Sequence, residues 1–178
     1  MPNEINGLIG TFAGTNPAFR GGYVFSQAEH LGTLLAENHL ALTNPTGSGR
    51  VVLVAGVFIS QTTLGAITSA SPMRGWLATA VSGGTLQAAS SIGKVRSTMP
   101  NPVGEIRLGG VAATLGAAWF NSPPILAGGA TTAPFVHQVP ASIPAGSITL
   151  LPGESTVLRT ETGDPDQEWN LSIAWSEI

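Results

Sequence analysis

Four side chains able to bind metal or move protons, Glu29, His30, Glu37 and His39, lie close together in the chain. A metal site needs its imidazoles and carboxylates on one face. No His-Glu-x-x-His pattern occurs here, and His30 and His39 stand nine positions apart. The third histidine, His137, is isolated between Pro134 and Pro140. Isolated histidines usually serve as hydrogen-bonded structural residues, so the expectation is no metal and no cofactor. Glu161, Asp164, Asp166 and Glu168 gather four of the ten acids, a set of oxygen ligands that calcium could use. Pro165 interrupts their spacing and no EF-hand loop is present, so they read as a solvated turn whose charge discourages edge pairing.

Other chemistries are excluded residue by residue. Asn44-Pro45-Thr46-Gly47-Ser48-Gly49-Arg50 has the look of a phosphate loop. Asn44 stands where a Walker A loop needs its first glycine, Arg50 replaces the lysine, and Val51 replaces the magnesium-binding hydroxyl. A strand follows instead of a helix, which leaves no helix N-terminus for phosphate, so the segment is a strand-connecting turn. No Gly-x-Ser-x-Gly pentapeptide provides a nucleophile elbow. With no cysteine, thiolate zinc sites, disulfides and cysteine nucleophiles are absent. Paired carboxylates leave no spacing signature, but few candidates remain among ten acids. The expectation is a protein without an active site.

Composition narrows the classes further. The chain has 178 residues, and charged residues make up 10% of it, against about 25% in an average soluble protein. The 23 glycines and 13 prolines argue against a helical bundle. A net charge of −3 and a single lysine, Lys94, leave no basic cluster for nucleic acid. No apolar run is long enough to span a membrane as a helix, and Met1-Pro2-Asn3-Glu4 does not open like a secretory signal, so cytosolic assembly is expected.

The charges are also unevenly spread. None occurs from Gly75 to Gly93 or from Leu108 to Gly153. The longer stretch is broken by prolines yet rich in apolar residues, so it is neither a helix nor a disordered tail. Surface charge keeps monomers soluble, whereas permanent interfaces are depleted in charge at their centres. The expectation is a large interface with Trp76, Trp119, Phe120, Ile125, Leu126, Phe135 and Val136 as anchors. The competing view is a surface covered by small polar groups.

These features sit on strands. Trp169, Leu171, Ile173 and Trp175 alternate with Asn170, Ser172, Ala174 and Ser176, the period of a half-buried strand. Ser155 to Glu161 reads as a strand hairpinned to it through the turn formers of 162–167. With the shorter strand Ser147–Leu151, the three suggest a β-meander or part of a Greek key. His39–Thr43, the tight loop and Arg50–Ser60 read as strand, loop, strand, the last apolar enough for burial on both faces. Gly22–Gln27, Trp76–Val81, Glu105–Leu108 and Val111–Phe120 are further strands. Gln27–Glu37 is the one helix-like piece, or else an extended arm. About eight strands point to an all-β, antiparallel β-sandwich of jelly-roll type with long loops. Residues 1–22 form an N-terminal arm and residues 23–178 a single domain.

Two segments carry a resemblance. His39 to Val52, with its Leu42-Thr43-Asn44-Pro45-Thr46-Gly47-Ser48-Gly49 turn, resembles a turn in small structural proteins of tailed phages. Leu150-Leu151-Pro152-Gly153-Glu154-Ser155, together with Trp169 through Trp175-Ser176-Glu177, resembles their C-terminal strand pair. The resemblance implies a capsid decoration (cement) protein: a non-enzymatic jelly roll, commonly a homotrimer, docked on the major capsid protein of a virion. A tail- or spike-associated module holding a host glycan is the alternative, and it would display tryptophan beside polar groups at loop tips.

Overall fold

In a computed structural model of the chain, residues 21–31, 36–63, 73–121, 136–139, 148–161 and 168–178 are described. They form ten strands and one short 3-10 turn, Ala89–Ser91. The strands are β1 (Gly21–Leu31), β2 (Glu37–Thr43), β3 (Val52–Thr63), β4 (Met73–Leu86), β5 (Gly93–Lys94), β6 (Glu105–Asn121), β7 (Val136–Val139), β8 (Ile148–Leu150), β9 (Ser155–Thr160) and β10 (Glu168–Glu177). One sheet runs β5-β1-β10-β3-β7, with β8 also paired to β3. The other contains β2, β9, β4 and β6 and closes on itself, because β6 also pairs with β2. All the pairings are antiparallel. The orders β1-β10-β3-β7 and β2-β9-β4-β6 place successive strands mostly in opposite sheets, and this is the double Greek key of a jelly roll.

The core lies between the sheets. Trp169, Leu171, Ile173 and Trp175 are each at most 1% exposed, as their alternation requires. Tyr23 and Phe25 flank them on β1, and Leu40, Leu42, Ile106 and Leu158 face them from the second sheet. The opposite faces of β2 and β9 turn Ala41 and Val157 into a smaller cluster with Ala78 and Val111. The β4–β6 ribbon folds over that cluster and closes the ring.

Several local expectations change. β9 and β10 are not a hairpin: β9 pairs with β2 and β4, whereas β10 pairs with β1 and β3. The chain passes from the second sheet to the first between β9 and β10, so the Greek-key reading holds and the meander does not. β3 is buried on one face only, since Val54, Val57 and Ile59 point inward while Phe58 is 41% exposed. Gln27 is not the start of a helix, because β1 continues to Leu31 on its pairing with β10. Glu105–Leu108 and Val111–Phe120 are parts of one strand, β6. Of the expected N-terminal arm, residues 1–20 lie outside the described residues, and Gly21 and Gly22 belong to β1.

β6 stays continuous because of what separates its halves. Gly109 and Gly110 both have φ of 60°, and Gly83 and Gly84 on β4 have φ of 65° and 60°. These are left-handed conformations that favour glycine, and the ladder changes register beside them, between Gly83 and Thr85. Bulges of this kind bend a ribbon. Here the bend lets one end of the ribbon pair with β2 and the other with β9. A Cβ on Gly84 would lie 2.8 Å from the Gly109 carbonyl oxygen and 2.8 Å from Val111 Cγ2, whereas one on Gly110 would meet nothing within 4 Å. Gly110→Ala therefore carries backbone strain alone, about 1–2 kcal/mol. Gly84→Ala adds a clash that the ribbon must relieve by moving, and should cost about 1–3 kcal/mol more. Urea denaturation of the two variants checks the order.

Candidate functional site

The end of β1 and the start of β2 belong to different sheets, and the sandwich brings them face to face. Three of the four residues singled out for metal or proton chemistry meet there. His30 Nε2 lies 3.1 Å from His39 Nδ1, and the rings meet edge-on with centroids 5.1 Å apart. Glu37 Oε2 lies 3.7 Å from His39 Nδ1. One ligand atom from each residue falls within 4.8 Å of the other two, close enough for a single divalent cation to bridge them. The fourth residue, Glu29, lies on β1, and its side chain is outside the described residues.

The surroundings fix these groups. Thr160 Oγ1 is 2.7 Å from His39 Nε2, and the Gly110 N–H donates to Glu37 Oε1 at 3.1 Å. On β2, between Glu37 and His39 in sequence, Asn38 donates to the Val111 carbonyl of β6 at 2.8 Å and accepts from Arg159 Nη1 of β9 at 3.0 Å. The glycine corner of β6 thus forms one wall of the cluster and also closes the second sheet. His39 is 1% exposed. Burial, reinforced by His30 and by the Arg159 cation, pushes its pKa down to about 3. Burial also lowers His30, against an opposing pull from Glu37. Both imidazoles are therefore neutral near pH 7, so the His39–Glu37 contact is not an ion pair.

Thr160, His39 and Glu37 superficially resemble a nucleophile, base and orienting acid. Thr160 is 3% exposed, however, and the 3.7 Å gap to Glu37 exceeds a hydrogen bond. His30 already takes His39 Nδ1. Among the described residues a cleft of about 300 Å³ lies elsewhere, lined by residues that include Leu77, Thr114, Leu115 and Glu154. Its one carboxylate, Glu154, accepts from the Leu151 N–H at 2.8 Å. That lining lacks the paired acid and base that hydrolytic chemistry needs.

The expected interface residues are placed as follows. Phe120 is 9% exposed and belongs to the core. Trp119 packs on the same core, its ring lying where Gly75 leaves room, and donates to Thr156 Oγ1 at 2.8 Å. Trp76 is half-buried on β4, and Val136 opens β7 opposite Ser60. Ile125, Leu126 and Phe135 lie outside the described residues, as do Asp164 and Asp166 of the acidic turn. Glu161 faces Arg159 at 3.4 Å and Arg74 at 4.0 Å.

Sequence reasoning did not assign a role to Glu177, which is 2% exposed. Its carboxylate accepts from the Val103 and Gly104 N–H groups at 2.9 Å each and from Trp175 Nε1 at 3.2 Å. That clasp ties β10 to the segment before β6. Asn44 was read only as part of a turn. It donates to the Arg50 and Leu150 carbonyls at 2.8 Å each, and its backbone pairs with Gly153 and Glu154. The two segments that carry the phage resemblance thus fold onto each other. The usable signal for both residues was a polar side chain within otherwise apolar strand ends, where burial demands partners.

His39 gives the fold a pH dependence of known sign. Its unfolded pKa is near 6.5 and its folded pKa is depressed, so its contribution is complete above pH 6.5 and is lost as pH falls toward 3. Between pH 7 and pH 4 this loss is on the order of 3 kcal/mol. Urea titrations in chelating buffer should show it, and His39→Gln should flatten the slope over that range. No family model, curated protein or solved structure matches the chain.

Proposed function

We propose that the chain is a non-enzymatic structural protein of a virus particle, a capsid decoration protein of tailed-phage type that works as a homotrimer. It binds the assembled shell across seams between major capsid proteins. The jelly roll alone does not decide this, since viral coat subunits and lectins share it. What supports the reading is the character of the two outer faces. On the first sheet, cross-strand rows run Val24, Ala174, Gly56 and Ser26, Ser172, Phe58. On the ribbon, Thr79, Ala80, Ser82, Ala112 and Thr114 point outward and are exposed. The named positions on both surfaces are uncharged, mostly small side chains with the exposed apolar Val24 and Phe58 among them, and a neighbouring subunit can meet them without desolvating a charge. The phage-like turn segments, joined through Asn44, add to the case.

The mechanism is thermodynamic. A subunit whose site is complete only on the assembled shell stabilises that shell by mass action, and many copies add. The test is cosedimentation with undecorated shells of the parent virus, together with the temperature of genome release. The expected result is saturable binding, a raised release temperature and a trimer by light scattering. Thr114→Lys should lose shell binding or trimerisation while shifting Tm by no more than about 2 °C, because exposed substitutions change stability by less than ~0.5 kcal/mol. Failure to bind the shell, with no change in release temperature, overturns the reading.

A further inference from the structure

We propose that His30, Glu37 and His39 form a zinc site that clamps the two sheets together at one end of the sandwich. The inference is independent of any role on a capsid. Two observations carry it. The first is geometry. Zinc binds imidazole nitrogen at about 2.0–2.1 Å and carboxylate oxygen at about 2.0–2.2 Å, so tetrahedral ligands stand about 3.3 Å apart. From His39 Nδ1 the distances are 3.1 Å to His30 Nε2 and 3.7 Å to Glu37 Oε2, which bracket this spacing, and one ligand atom from each residue lies within 4.8 Å of the other two, a gap that side-chain rotation closes.

The second is an unmet electrostatic need. Glu37 is only 9% exposed, and its Oε2 is a buried oxygen with no hydrogen-bond partner. The other oxygen, Oε1, is held by the Gly110 N–H. A buried carboxylate oxygen left without a donor is costly. The atoms facing it belong to two imidazoles, and a divalent cation among the three satisfies all of them. The outer partners are those a metal site requires. A histidine ligand commonly directs its second nitrogen to a fixed partner, which sets the tautomer, and Thr160 Oγ1 occupies that position at His39 Nε2. With Nε2–H donated to Thr160, the Nδ1 lone pair points into the cluster. Two imidazoles and one carboxylate are a ligand set that suits zinc. The fourth position is left to water. Because β1 and β2 belong to opposite sheets, the ion would join the sheets where no backbone hydrogen bond links those two strands.

The test uses tag-free, full-length protein stripped with a chelator. Calorimetric titration with zinc chloride should give one ion per chain at micromolar affinity or tighter, and saturating zinc should raise Tm by about 5–10 °C. His30→Ala and Glu37→Gln should each weaken binding at least about a hundredfold, since even outer-shell changes cost up to that much. His137→Ala should bind as the unaltered chain does. X-ray absorption on the unaltered zinc-loaded protein should show two imidazoles and an oxygen donor around zinc, a readout that needs no variant to fold. Absence of binding overturns the proposal, as does equal affinity in folded His30→Ala and Glu37→Gln. A first shell made only of oxygen overturns it as well.

Discussion

The closed second sheet depends on a bend that an ordinary side chain resists. Two long strands, β4 and β6, pair along most of their length, and a straight ribbon of that length would run past the sandwich and expose Ala41 and Val157. Left-handed backbone at Gly83, Gly84, Gly109 and Gly110 turns the ribbon back over them. The bend has a second effect, because it carries the Gly110 N–H to Glu37. Architecture and the polar cluster therefore share one backbone feature. The small side chains at the centre of the cluster, Ala41, Ala78, Val111 and Val157, are the counterpart of the tight curve, with Val81, Ala113 and Leu115 packed around them.

The scarcity of charge has a structural expression. The charged groups among the described residues sit at strand ends, loops and corners, and several are committed to single tasks. Glu177 holds the backbone before β6, Lys94 binds the Met99 carbonyl and Asn101, and Arg159 spans Asn38 and Glu161. What remains for the broad faces is mostly alanine, glycine, serine and threonine, with Val24 and Phe58 exposed on the first sheet. Such a surface carries no strong field and offers weak hydration, so contact with another neutral surface costs little desolvation.

How far the sequence was legible follows from the range of each interaction. The alternation of Trp169, Leu171, Ile173 and Trp175 is a local signal, and the strand it describes is present with those residues inward. The all-β class followed from turn chemistry and period, and it is present too. Pairing partners were not legible, because turn residues at 162–167 announce a change of direction without saying which sheet receives the next strand. β3 misled for a related reason: Ala55, Gly56 and Phe58 are apolar on an outer face, so composition suggested two-sided burial. The His30–His39 contact joins two sheets, and no spacing in one strand encodes it. The paired glycines were the visible sign of the ribbon's bend. Their meaning depended on β4 and β6 being neighbours, a fact that only the fold provides.

The position of β10 governs the order in which the first sheet can be made. β1 and β3 do not pair with each other; each pairs with β10, which lies between them. Ser172, which touches Ser26 across that junction, is synthesised 146 residues later. Until then β1 and β3 each present an unpaired edge, and Tyr23, Phe25, Val54 and Ile59 lack the tryptophan strand they pack against. Non-local pairing of this kind slows folding and lengthens the interval in which apolar edges are exposed. The first sheet is thus joined across its middle only when β10 enters between β1 and β3, and the packing of the core around Trp169 and Trp175 waits on that step.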